Sequence, residues 1–219
     1  MNSAKASSGP LRLAVLISGG GTTLVNLQEQ IEQELLPAEI VQVVANRACQ
    51  GLQRATDRGL KTQLTKRSEL PSLQAYSDAL FAQFREQQID LVILGGFLAH
   101  ILIPADFEHR VMNIHPALLP AFGGQGMYGH FVHEAVLRRG CKVSGCTVHF
   151  CDDNYDAGPI IIQRTVPVLD DDTPDSLAAR VFAEECIAFP EAIRLYAESR
   201  LQIRDGRVMI LPGAAKSAS

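Results

Sequence analysis

The chain has no excess of positive charge. Twenty lysines and arginines stand against 24 aspartates and glutamates, giving a net charge of −4 and a pI of about 5.9. No general basic field therefore draws it to nucleic acid, although local positive sites remain compatible with that total. It has no C-x-x-C pair. Its five cysteines, at 49, 141, 146, 151 and 186, are odd in number, which argues against a disulfide framework and fits a reducing, cytoplasmic setting. No apolar run approaches the roughly 20 residues that cross a bilayer, so no membrane partner is expected. The opening MNSAKASSGP lacks an apolar core and does not read as a secretory signal, and the closing GAAKSAS reads as a loose tail. What is present suits one domain with a substantial core: 219 residues, 47% hydrophobic and 20% charged. The expected organisation is a flexible tail over 1–10, a single domain over 11–203, and a hairpin remnant with a tail over 204–219.

Cys146, His149 and Cys151 suggest a metal trio. In a strand, however, Cys146 faces away from the other two, so no metal is expected.

Apolar runs alternate with helical patterns along the chain. LRLAVLI (11–17) reads as a buried strand ended by glycines. Leu24, Leu27, Ile31 and Leu35 recur at helical spacing over 23–36, with Pro37 as the stop. Residues 39–46 read as a strand, 49–60 as a helix and 61–65 as a short strand. Residues 70–88 form an amphipathic helix pattern with Pro71 in the first turn, and 89–97 another buried strand. This succession predicts βαβ units in an open, mostly parallel α/β sheet of Rossmann-like type with flanking helices. A fifth strand is expected at 111–115 and a helix ending at Gly140. Two adjacent strands follow around 144–152 and 159–168, as an antiparallel C-terminal extension. A long helix then opens at a Thr173 or Asp172 cap and contains Pro190, which should kink it.

ISGGGTTL (17–24) joins the first strand to the first helix. Glycines allow close approach to a ligand, and a helix N-terminus offers free N–H groups to an anion. Ser18, Thr22 and Thr23 add hydroxyls. The loop is not G-x-G-x-x-G, because residue 24 is leucine, and no P-loop lysine follows. A sugar-phosphate monoester fits it better than a dinucleotide or a nucleoside triphosphate. A plain tight turn is the alternative.

Asn113 and His115 fall at the end of the fifth strand and on one side of it, where Pro116 makes the chain leave the sheet. In open α/β sheets chemistry gathers beyond such ends. CDDNYDAGPIII (151–162) is an acidic loop whose Asp156-Ala157-Gly158-Pro159 has the signature of a turn.

The phosphate-type loop, NIHPALLP, GCTVHF and DAGPIIIQ, in this order, resemble the glycinamide ribonucleotide formyltransferase family. The resemblance covers about residues 11 to 203. It implies transfer of a formyl group from 10-formyltetrahydrofolate to the amine of glycinamide ribonucleotide in purine synthesis. It implies Asn113, His115 and Asp156 as the catalytic group, and Gly20, Gly21, Thr22 and Thr23 around the substrate phosphate. The family usually has Gly-Ser-Asn where this chain has Gly21-Thr22-Thr23, so the amide is absent at Thr23. Glu185 matches a family glutamate that contacts the glycinamide. Leu98, His100 and Ile101 would form one wall of the folate pocket, with Ala99 and His100 replacing a common arginine. Asp152, Asp153, Asn154, Tyr155 and Asp156 would form the other lip. Residues 121–133 depart from many members, and Tyr128, His130 and His133 fall there; His133 also reads as an ordinary helix residue.

The chemistry requires a protonated His115, with Asp156 as the carboxylate that keeps it so, and neither a metal nor a nucleophilic cysteine. Three other readings are a formyltetrahydrofolate deformylase, a methionyl-tRNA formyltransferase core and a non-catalytic nucleotide-binding module. The deformylase usually carries an extra N-terminal domain, and about ten residues precede the first strand here. The tRNA enzyme carries a further C-terminal domain for nucleic acid.

Overall fold

A computed structural model describes residues 9–213. Residues 1–8 and 214–219, which make up most of the two expected tails, lie outside the described residues. The chain runs β1 (Leu11–Ile17), α1 (Thr22–Glu32), β2 (Ala38–Ala45), α2 (Gln50–Asp57), β3 (Thr62–Leu64) and α3 (Leu73–Glu86). It continues with β4 (Leu91–Leu94), β5 (Val111–His115), α4 (His130–Arg139), β6 (Val143–Phe150), β7 (Ile160–Pro167) and α5 (Pro174–Ala197), and ends in a hairpin, β8 (Leu201–Arg204) with β9 (Arg207–Ile210).

Seven strands form one sheet in the order β3-β2-β1-β4-β5-β6-β7. The first five are parallel; β6 runs antiparallel to β5, and β7 antiparallel to β6. The sheet is buried on both faces because residues 13–17 of β1 and 91–94 of β4 are apolar at every position. Leu13, Val15 and Ile17 of β1 point into one core with Leu91 and Ile93 of β4, under α1 and α5. Ala14, Leu16 and Val92 point into the other, where α3 contributes Tyr76, Leu80, Phe81 and Phe84. Phe107 closes that second layer with its ring centroid 4.8 Å from that of Phe81. The strand order reverses at β1, whose neighbours are β2 and β4. This leaves a crevice beyond the carboxyl ends of β1 and β4, the usual ligand position in such sheets.

Several local expectations are corrected. The first helix ends at Glu32, five residues before Pro37; Glu34 takes a left-handed φ of 59° and Leu35 is 51% exposed. Pro71 lies outside α3, because the Ser72 hydroxyl accepts the Ala75 amide and sets the helix start after it. β4 stops at Leu94, since Gly95 and Gly96 begin the turn. α5 runs uninterrupted through Pro190; packing of Phe189, Ala192 and Ile193 into the core outweighs the amide that proline lacks. Its start is the capping box of Thr173 with Ser176. The terminal hairpin spans Leu201–Ile210 and so straddles position 203.

Candidate functional site

β5 ends at His115, and β6 pairs antiparallel to it, setting His149 directly opposite Asn113. Asn113 and His115 alternate with Met112 and Ile114, which face the core under α5, so both polar side chains emerge on the opposite face. The loop after β6 returns Asp156 over that face. Asp156 has a left-handed φ of 55°, which its short polar side chain tolerates.

Four polar side chains meet there. Asp156 Oδ2 is 3.5 Å from His115 Nδ1, and Asp156 Oδ1 is 3.7 Å from His149 Nε2. The Asn113 amide nitrogen donates to His149 Nε2 at 3.2 Å and makes a long contact with Asp156 Oδ1 at 3.5 Å. The Gly124 amide donates to Asp156 Oδ2 at 2.8 Å. His149 Nδ1 lies 2.8 Å from the Phe150 carbonyl. A carbonyl only accepts, so Nδ1 carries the proton and Nε2 is left as the acceptor that orients the Asn113 amide. His115 Nε2 is likewise 2.8 Å from the Phe122 carbonyl and carries a proton, while its Nδ1 faces the carboxylate.

Burial opposes a charge on Asp156. The adjacent His149 and His115 rings and the Gly124 amide outweigh it and hold the carboxyl below its ordinary value. For His115 the balance goes the other way. Burial pushes its pKa below the usual imidazole value, and Asp156 and the Phe122 carbonyl only partly offset this. The expectation of a standing imidazolium is thus corrected: the ring is 3% exposed, and its desolvation exceeds what one carboxylate returns.

These groups line a cavity of about 720 Å³. Gly20, Gly21, Thr22 and Thr23 line it from the β1–α1 turn, and Glu185 from α5. Burial alone pushes the Glu185 carboxyl up to about 7. Leu98, His100 and Ile101 line it from the loop after β4, and Asp152, Asn154 and Tyr155 from the loop after β6. Asp153 does not. Its carbonyl meets His100 Nε2 at 3.0 Å and its carboxylate accepts the Ile103 amide at 3.1 Å, so it ties the two loops together from behind. The His100 and Tyr155 rings lie 4.8 Å apart, tilted by 32°. Ser18 is also absent from the lining: its buried hydroxyl donates to Asn46 and accepts the Leu98 amide. His130 lines the cavity but directs Nε2 to Asp175 at 2.8 Å. His133 is buried in α4, lines the cavity, and leaves Nδ1 without a partner among the described residues.

The residue that sequence reasoning set aside is His149. It was grouped with two cysteines, yet Cys146 packs into the core under α5 while His149 faces the cavity. Its alternation within β6 and the β5–β6 pairing are the signals that could have found it. Burial raises the Cys146 thiol to about 12 and pushes the Cys151 thiol upward as well, so both stay protonated.

The formyl transferase family model matches residues 11–193. The chain belongs to the formyl transferase family. Within it, this formyl transferase is 39% identical over 206 residues to the chloroplastic phosphoribosylglycinamide formyltransferase of Vigna unguiculata. That alignment takes in 91% of this chain and 65% of the plant protein. It also resembles the crystal structure of glycinamide ribonucleotide transformylase 1 from Symbiobacterium toebii, with 40% identity and a TM-score of 0.88, covering 94% of this chain and 96% of that one. A formyltetrahydrofolate deformylase structure from Pseudomonas syringae shares the fold at 21% identity and a TM-score of 0.80. Among the described residues, no helix is long and apolar enough to cross a membrane.

Proposed function

We propose that this formyl transferase moves the formyl group of 10-formyltetrahydrofolate to the primary amine of glycinamide ribonucleotide, with Asn113, His115 and Asp156 performing the chemistry. One observation supports this above the rest. A single cavity contains both the glycine turn and the Asn113–His115–Asp156 cluster, along the ends of β1, β4, β5 and β6. The phosphate lies on Gly20, Gly21, Thr22 and Thr23. Glu185 holds the glycinamide. The folate lies between Leu98, His100 and Ile101 on one side and Asp152, Asn154, Tyr155 and Asp156 on the other.

The amine attacks the formyl carbon, and the carbonyl oxygen becomes an oxyanion. The Asn113 amide and the His115 ring donate to it; loss of one such donor typically costs roughly 10²–10³ in rate. The oxyanion adds a second negative charge beside His115, and with Asp156 it strengthens the hold of the ring on the proton it donates. His115 Nε2 must then leave the Phe122 carbonyl, so residues 121–124 shift as the site fills. Asp156, ionised in this environment, accepts the proton of the attacking amine directly or through a water. The electron pair of the oxyanion returns to carbon, the bond to N10 of the folate breaks, and the proton passes to that nitrogen. A reducing, cytosolic setting suits the free Cys49, Cys141, Cys146, Cys151 and Cys186.

The test is formyl release from the folate with and without glycinamide ribonucleotide. Release only with the ribonucleotide supports the transferase. Release without it supports a hydrolase, and no release in either case contradicts an enzyme reading.

A further inference from the structure

Behind the glycine turn, the segment after β2 and the helix α2 that follows it reach successive backbone carbonyls. Arg47 Nε donates to the Ser18 carbonyl at 2.6 Å, the Gly51 amide to the Gly19 carbonyl at 2.9 Å, and Arg54 Nη1 to the Gly20 carbonyl at 3.0 Å. A trans peptide points its C=O and the following N–H in opposite directions. Drawing these carbonyls toward α2 therefore turns the amides of Gly19, Gly20 and Gly21 the other way, and all three glycines line the cavity. Among the described residues, none of these amides, nor those of Thr22 and Thr23, donates to a protein acceptor. The contact is tight: a Cβ on Gly21 would stand 2.8 Å from Gly51 Cα, and one on Gly51 would stand 2.9 Å from the Gly19 oxygen.

A second observation sharpens this. Among the described residues, no lysine or arginine lines the cavity. A phosphate dianion there meets backbone N–H groups, hydroxyls and imidazoles, with no cationic side chain of fixed charge beside it. Arg47 and Arg54 are bonded to the loop from its far side.

We infer that Arg47 and Arg54 are positioning residues for the substrate phosphate, acting through the peptide planes of the glycine turn; this rests on the phosphate reading of that turn. Each guanidinium holds a carbonyl off the anion and polarises the peptide whose N–H faces it. Each also sets a positive charge behind the donor. Arg47 acts on the Ser18–Gly19 peptide and Arg54 on the Gly20–Gly21 peptide. Neither touches substrate. Preference for a phosphorylated ligand is thus set by residues 29 and 34 positions away in the chain.

The test is calorimetric binding of glycinamide ribonucleotide and of its phosphate-free riboside to wild type, Arg47→Gln, Arg54→Gln and Arg54→Lys. Each glutamine variant should weaken the ribonucleotide about tenfold, the worth of a charge-assisted hydrogen bond, and leave the riboside unchanged. Turnover and KM for the folate should stay at wild-type values. Arg54→Lys should recover part of the loss, since it keeps the charge without the fork. It also keeps the experiment readable if the glutamine variant folds poorly. Equal weakening of both ligands, or of neither, in variants of a wild type that prefers the phosphate would overturn the inference and leave the cradle standing. A wild type that binds both ligands equally would remove the phosphate reading itself, and the inference with it.

Discussion

Asparagine at position 156 removes one charge and keeps the shape of the side chain. The residue sits at φ 55°, a conformation asparagine adopts as readily as aspartate, so the backbone gains no strain. The amide oxygen can still accept the Gly124 N–H, which now meets Oδ2 at 2.8 Å. What is lost is the proton acceptor for the attacking amine, generally worth about 10²–10⁴ in rate. His115 also loses the neighbour that raises its pKa, and burial then drives it further from the imidazolium. Because the two groups act as a unit their costs do not add, and kcat should fall roughly 10³–10⁴-fold with little change in either KM. The fold should survive. The exchanged hydrogen bonds are worth about 1–2 kcal/mol, a shift of a few degrees in Tm. Steady-state formyl transfer, measured beside a thermal melt, reads both effects. A folded Asp156→Asn enzyme keeping more than about a tenth of wild-type kcat would refute the acid–base role, whose lower bound is about 10².

Other expectations follow from the same geometry. His149→Phe removes the acceptor that orients the Asn113 amide, so kcat should fall about tenfold with ribonucleotide KM unchanged; an unaltered kcat would show that Asn113 needs no such guide. Glu185 is pushed up to about 7 by burial. Its anion is therefore lost as pH falls through that value, and ribonucleotide KM should rise below it in wild type. In Glu185→Gln, KM should be raised about ten- to a hundredfold and be flat with pH; a slope that persists in the variant assigns the titration elsewhere. His133 is pushed down to about 4 by burial, with His130 and His115 adding like charge. The folded state holds it neutral, so its contribution is complete above an unfolded pKa near 6.5 and is lost as pH falls toward about 4, an upper bound of roughly 3 kcal/mol. Thermal melts from pH 7 to 5 should fall more steeply for wild type than for His133→Leu; parallel curves would contradict this.

The fold was legible where burial dictates residue type. The continuous apolar runs of β1 and β4 required a sheet covered on both faces, and the Thr173 cap announced α5. Signals without tertiary context misled. Leu35 continued the helical spacing of α1, but the chain had already turned at Glu34, and Ser72 rather than Pro71 defined the start of α3. In the site, strand parity alone put Asn113 and His115 on one face. His149 was hidden because its partner lies 36 residues earlier and depends on the β5–β6 register. Ser18 looked like a phosphate donor, yet its hydroxyl spends both roles on Asn46 and Leu98 inside the sheet edge. The charge on His115 is a balance of burial against a carboxylate, which no local pattern encodes.

The most direct measurement is a crystal structure with glycinamide ribonucleotide and a folate analogue whose formyl carbon is tetrahedral. The analogue's oxygen should lie within about 3 Å of the Asn113 amide and of a His115 ring freed from Phe122, with the Asp156 carboxylate on the amine side. A complex in which that oxygen points away from both side chains, with Phe122 still holding His115, would contradict this placement.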